Sequence, residues 1–222
     1  MGGPLVLTLE LATLTTAVLL AIATPLAAWL AFSRHPLRPL VEALLALPLV
    51  LPPTVLGFYL LVAMAPHGWL GRLWEALFHA RLAFSFSGLV LASVCYSLPF
   101  ALQPIQTAFA QLDRRLLDAA WTLGASRWQT FWRILLPLGV PGIFSGAVLA
   151  FAHTLGEFGV VLMVGGDLPG RTRVVSIALY DLVQTFDYQS AGRLALLLLA
   201  IAYLTLLALY AFQRHMLRWG RP

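Results

Sequence analysis

Two residues in an otherwise apolar run of this sequence carry groups that could do chemistry. His153 and Glu157 are four residues apart, which places both on one face if the run is helical. An ionisable group inside a membrane-length apolar segment is a functional candidate by default, because burying it there is costly. Glu157 is the one acid well away from the end of such a segment. A passing anion would be repelled unless this carboxylate is paired, so Glu157 is expected to be paired and to serve helix contacts or a gate. His153 is expected near the outer interface, satisfying neighbouring backbone. Other chemistry is excluded by composition. The fourteen positive charges are all Arg, which removes a P-loop lysine, a Schiff-base lysine and a Ser-Lys nucleophile. If ATP drives this protein, another chain binds it. His35, His67, His79, His153 and His215 are too scattered for a metal site. The single Cys95 allows neither an internal disulfide nor a cysteine-based zinc site. No catalytic residue, metal or cofactor is expected.

The elements that must position these residues span a membrane. The chain is 60% hydrophobic and 10% charged, with a mean hydropathy of +0.86. Its apolar runs are long and continuous, which predicts an all-α integral membrane protein with about five transmembrane helices in a single domain, 1–222. The first span, 5–32, is too long for a signal-peptide core and lacks a positive head, so it is expected to be retained. The second, 40–65, contains Pro48, Pro52 and Pro53, which remove three amide donors and must break or kink it. That break either lines a pathway or serves packing. The third, 83–109, carries Pro99, Gln103, Pro104 and Gln106 toward its inner end. In the fourth, 138–164, Gly142, Gly146, Ala150, His153 and Glu157 form one stripe, small at one end and ionisable at the other. The fifth runs over 191–212. The candidate pathway or gate residues are Pro52, Pro53, Gln103, His153 and Glu157.

Between the third and fourth spans lies the longest polar interruption, 113–137, and it is patterned. Asp113 can cap a short helix carrying Leu116, Leu117, Ala119, Ala120 and Trp121, with Gly124 supplying the turn out. Ser126 and Gln129 have capping-box spacing. Behind them Trp128, Phe131, Trp132, Leu135 and Leu136 recur on one helical face, with Arg127, Gln129, Thr130 and Arg133 on the other. The expected product is a helical hairpin outside the bilayer, with a small-residue surface at Ala119 and Ala120. An amphipathic helix lying on lipid headgroups would use the same aromatic and basic residues.

Asp118-Ala119-Ala120, then Gly124, then Ile134-Leu135-Leu136-Pro137 resembles the EAA loop of importer-type ABC transporter permeases, with Asp in place of Glu at 118. The resemblance implies that the hairpin sits in a groove of a cytoplasmic ATPase, with Asp118, Ala119, Ala120, Gly124, Ala125, Ser126 and Arg127 as the coupling residues. Further pieces are similar to the molybdate permeases, with sulfate permeases as near relatives. They are Gly156-Glu157-Phe158-Gly159, Leu162-Met163-Val164, the run from Asp167 to Thr172, Leu179-Tyr180-Asp181 and the run from Leu47 to Pro53. This resemblance implies a type I ABC importer permease fold and a pairing with a second copy of itself. It also implies two cytoplasmic ABC ATPase subunits and an external oxyanion-binding protein. The cargo it implies is molybdate or tungstate, with sulfate or thiosulfate as the alternative.

Nine arginines fall in the first turn, the hairpin and the tail, and five on the opposite side. The positive-inside rule then puts the amino terminus outside, the carboxyl terminus in the cytoplasm and the hairpin on the ATP side of the inner membrane. Arg171 and Arg173, in an outer turn expected to face water, are candidates for docking the binding protein, or for anchoring to lipid headgroups. A short helix is expected over 174–183. A secondary anion carrier would want inverted repeats and several buried carboxylates, which the sequence lacks. Five spans cannot easily enclose a path, so a second copy is expected within the bilayer, and no nucleic acid.

Overall fold

The computed structural model describes residues 2–219; Arg221 and Pro222 lie outside them, as do the side chains of His215 and Arg218. Every regular element among the described residues is helical. The first, α1 (Gly2–Phe32), has 31 residues, a length of about 45 Å at 1.5 Å per residue, which exceeds a bilayer's apolar thickness. It packs along α5 (Phe86–Ala110) and α9 (Val140–Leu155). Small residues make this close approach possible. Ala23 and Ala27 of α1, Ala101 of α5 and Ala150 of α9 are buried in the same core with Leu19, Leu30, Ile105 and Phe109. On α9, Gly146 faces α5 so closely that a Cβ there would come 2.7 Å from the Ala101 carbonyl oxygen and 3.1 Å from Ile105 Cγ1. The expected small stripe of the fourth span is therefore the α5 contact.

The second apolar stretch is not one helix. It consists of α2 (Arg38–Val50) and α3 (Pro53–Met64), with a bend of 112° between them. Pro48 is accommodated within α2, and the break falls at Leu51 and Pro52, so that Pro53 takes the first position of α3, where its missing amide costs nothing. The fourth stretch is also interrupted. The helix α9 ends at Leu155 and the short α10 (Gly159–Gly165) begins three residues after Gly156. Glu157 lies in this break and not on the helical stripe that its spacing from His153 predicts.

Short helices fill the connections. The connection between the second and third stretches holds α4 (Trp69–Phe78). The hairpin contributes α6 (Arg114–Thr122) and α7 (Arg127–Thr130), followed by one π turn (Phe131–Leu135) and α8 (Leu136–Leu138). The expected short outer helix is α11 (Val175–Gln184), and the last span is α12 (Tyr188–Trp219). Three of these helices, α1, α5 and α12, are long and apolar enough to cross a membrane, or up to five spans if α2 with α3, and the run from Arg127 to Leu138 with α9, each count as one bent pair.

Candidate functional site

The hairpin is built by its caps. Asp113 Oδ1 accepts from the Arg115 amide at 2.9 Å. The end of α6 is closed by the Gly124 amide donating to the Trp121 carbonyl at 3.0 Å and the Ala125 amide donating to the Ala120 carbonyl at 2.9 Å. This Schellman pair requires a left-handed residue, and Gly124 supplies it at φ +84°. Next, Ser126 Oγ accepts from the Gln129 amide at 3.2 Å while Gln129 Oε1 accepts from the Ser126 amide at 2.8 Å. Both halves of the expected capping box are present.

The faces of the hairpin differ from the sequence expectation in two places. Ala119 and Ala120 do not share a surface: Ala119 is exposed, and Ala120 is buried with Leu117 toward the bundle. Thr130, expected on the polar face, is buried, whereas Trp128 is 69% exposed. The buried residues Thr130 and Leu135 are five apart, the spacing of the π turn that follows Thr130, and Phe131 and Ile134 lie half-buried beside them. Trp128 and Trp132 pack edge to face outside it, ring centres 5.4 Å apart. Leu117 and Leu135 belong to the same core as Phe109, Ala27 and Leu30. The hairpin is thus packed against α1 and α5. Its outward side presents Asp118, Ala119, Arg127 and a Leu123 that is 89% exposed.

A second site forms where the two broken stretches meet. The starts of α3 and α10 touch: a Cβ on Gly159 would come 2.7 Å from that of Pro53. Beside this contact is a cavity of about 650 Å³ lined by Pro53, Thr54, Tyr96, His153, Glu157 and Phe158 among others. The structure brings His153, Glu157 and Pro53 together. Pro52 stands at the edge of the same break, while Gln103 is elsewhere, in a small cleft with Glu42 and Gln106.

The roles of the two ionisable residues need correction. His153 does not satisfy backbone. Its Nδ1 is hydrogen-bonded to Ser97 Oγ at 2.9 Å, Ser97 also reaches Thr154 Oγ1 at 3.0 Å, and the imidazole stacks on Phe100 with centres 3.8 Å apart. Glu157 is not paired. The residue is only 4% exposed; no ion pair reaches it among the described residues, and neither carboxylate oxygen meets a partner at full hydrogen-bond geometry, the Ser93 hydroxyl beside it being likewise unsatisfied. The Glu157 backbone is satisfied, however, because Ser176 Oγ donates to its carbonyl at 2.6 Å.

Sequence reasoning passed over Tyr96, Ser97 and Thr54 at this cavity. Ser93 and Ser97, four residues apart in a span, were the available signal. It also passed over Glu42, which accepts from Arg38 Nε at 3.0 Å and from Gln106 Nε2 at 2.7 Å and so ties the start of α2 to α5. The signal there was the Arg38-Glu42 spacing of four.

In the outer segment, Thr172 is fully buried, and its Oγ1 donates to the Gly165 carbonyl at 2.8 Å and accepts from the Leu168 amide at 3.2 Å. Arg173 does not simply face water. It forms a two-point ion pair with Asp167, in which Nη2 to Oδ2 is 2.8 Å, and lies 3.7 Å from Asp181. The hydrogen bond to Asp167 holds its guanidinium above the ordinary value. Arg171 is exposed and has no such partner among the described residues.

Interrupted helices around a largely apolar cavity, with a capped hairpin joining the third and fourth apolar stretches, are the architecture of a polytopic helical transport protein. The chain belongs to the family of binding-protein-dependent transport system inner membrane components, whose pattern matches residues 17–219. It is 52% identical over 208 residues to the molybdenum transport system permease protein ModB of Azotobacter vinelandii, covering 94% of this chain and 92% of that one. It is 44% identical over 173 residues to ModB of Escherichia coli (strain K12), covering 78% and 76%. Its fold is similar to a chain in the crystal structure of a bacterial alginate ABC transporter in complex with an alginate pentasaccharide-bound periplasmic protein. That match has a TM-score of 0.75 at 20% identity and covers 96% of this chain and 78% of the other. The fold is that of type I ABC importer permeases.

Proposed function

We propose that this chain is the permease of an ATP-driven importer for a tetrahedral oxyanion, molybdate, with tungstate accepted by the same path because its charge and shape are alike. The observation that carries the reading is the 52% identity to a molybdenum transport permease over nearly the whole of both chains. The geometry suits the role. The outward side of the hairpin, with Asp118, Ala119, Leu123 and Arg127, is the surface for a cytoplasmic ABC ATPase, and Ala120, Gly124, Ala125 and Ser126 set its shape. Two copies of the permease, two ATPases and an external binding protein complete the machine. The apolar side chains left uncovered on α3 and α12, Phe58, Val62, Leu199 and Tyr203 among them, are faces for the second copy and for lipid. Closure of the ATPases moves the hairpins, and through Leu117 and Leu135 swings α1 and α5, opening the path to one side and then the other. The amino terminus is outside and the carboxyl terminus cytoplasmic.

The test is reconstitution of the permease with its ATPase and binding protein into liposomes. ATP-dependent uptake of labelled molybdate, competed by tungstate and weakly by sulfate, is the expected result. Uptake of sulfate in preference to molybdate, or none of any oxyanion by an assembled complex, would overturn the cargo assignment. A reporter after Pro222 should read cytoplasmic, and a cysteine near Gly170 should be labelled from outside; the reverse pattern overturns the orientation.

A further inference from the structure

The cavity between the broken spans contains an unusual combination. Its wall includes a buried carboxylate with both oxygens unpartnered, the starting turn of α3, and the side chains of Thr54 and Tyr96. No Arg lines it. The groups that face Glu157 from the packed elements are His153 on α9 and Tyr96, Cys95 and the buried Ser93 hydroxyl on α5. The lining residues of α3 and α10, Pro53, Thr54, Gly159, Leu162 and Met163, are not titratable.

A start of a twelve-residue helix offers a modest positive pole, and Thr54 and Tyr96 offer hydroxyl donors. Those features serve one anion. An ionised Glu157 and an oxyanion would compete for them and repel each other across a poorly screened space. A proton on Glu157 removes the repulsion and turns the carboxyl group into one more donor. We propose that this cavity is a weak contact site for the transported oxyanion, and that occupation by the anion is linked to uptake of one proton by Glu157. The proton comes from water on the side to which the cavity is open, adds to the carboxylate to give the neutral acid, and leaves when the anion leaves. By linkage, what the anion does to proton affinity the proton does to anion affinity. The inference rests on the oxyanion-importer reading and adds the place and chemistry of contact.

The test uses the complete transporter in liposomes, with labelled molybdate on the loaded binding protein, from about pH 6 to about pH 8. Wild type and Glu157→Gln are compared at each pH, so that effects of pH on the ATPase and binding protein divide out. A single linked proton changes the ratio by at most about tenfold per pH unit. The expected result is that wild-type uptake falls relative to Glu157→Gln by about fivefold or more across this range. A ratio constant within about twofold overturns the proposal. If Glu157→Gln does not co-purify with the ATPase, Glu157→Asp takes its place: a pH profile displaced from wild type supports the linkage, and coincident profiles overturn it. An assembled wild type that takes up no oxyanion at any pH overturns the importer reading and this inference with it, whereas normal uptake with a flat ratio removes only the inference.

Discussion

The hydroxyl of Ser176, in the first turn of α11, donates to the backbone carbonyl of Glu157 at 2.6 Å. One hydrogen bond thereby joins the outer segment to the break beside the cavity. The same turn is held to α1, since the Val175 amide donates to Thr8 Oγ1 at 2.8 Å. Removing the hydroxyl in Ser176→Ala leaves a carbonyl unsatisfied in a site with little water, a loss of about 1–3 kcal/mol. The expected outcome is a lower midpoint of thermal unfolding of the purified complex, with ATPase co-purification retained because the hairpin is remote in the chain. An unchanged midpoint would show that the break is held by other contacts.

Close packing of α9 on α5 leads to a sharper expectation. The nearest atom to a new Cβ at Gly146 is the Ala101 backbone oxygen, which cannot move without bending α5. Gly146→Val should therefore cost about 1–3 kcal/mol or more through overpacking, and should reduce the yield of assembled permease. Gly170→Ala is the control: a Cβ there meets nothing within 4 Å, and only its positive φ of 73° is strained. Equal yields of Gly146→Val and wild type would contradict the packing.

How much of this was legible beforehand depended on whether local chemistry or three-dimensional meeting decided the matter. Asp113, Gly124, Ser126 and Gln129 act within a few residues of themselves, so the hairpin's caps follow from residue type and spacing. The prolines at 52 and 53 likewise announce a break. The interruption at Gly156 to Phe158 was hidden, because Gly and Phe in an apolar run are compatible with a continuous membrane helix. What ends the helix there is tertiary: Gly159 meets Pro53, Ser176 takes the Glu157 carbonyl, and Met163 and Val160 press on Gly57 at 2.8 and 3.2 Å from its Cβ position. The expectation of a paired Glu157 came from the repulsion a bare carboxylate would exert on a passing anion, an argument about charge that carries no information on where the chain places the side chain once the helix stops at Leu155. The π turn over Phe131–Leu135 was equally invisible, and with it the five-residue step that puts Thr130 and Leu135 on one buried side.

The two small residues of the hairpin separate ATPase contact from hairpin stability. Ala119 is exposed, so Ala119→Trp should leave the unfolding midpoint of the permease near wild type while abolishing co-purification with the ATPase. Gly124 is held at φ +84° with open space around it, so Gly124→Ala costs about 1 kcal/mol in conformation and adds almost no bulk. It should lower the midpoint slightly and weaken co-purification only partly. Full ATPase binding by Ala119→Trp would remove the docking role of this face.

Arg171 and Arg173 stand two residues apart and should respond differently to charge reversal. Arg171 is exposed and unpaired among the described residues, so Arg171→Glu leaves the turn intact. If this arginine meets an acidic lobe of the binding protein, its loss acts on encounter and register, and exposed charges act most strongly when salt is low. Binding-protein-stimulated ATP hydrolysis should then fall severalfold at low ionic strength and recover toward wild type at high, with basal hydrolysis unchanged. Arg173 instead closes the turn through Asp167 and Asp181, and Arg173→Glu would set three acids against one another around the buried Thr172. That variant should lose stimulated hydrolysis at every ionic strength and be cleaved faster by protease in the outer segment. A salt-independent loss in Arg171→Glu, or no loss at low salt, would remove Arg171 from the docking surface.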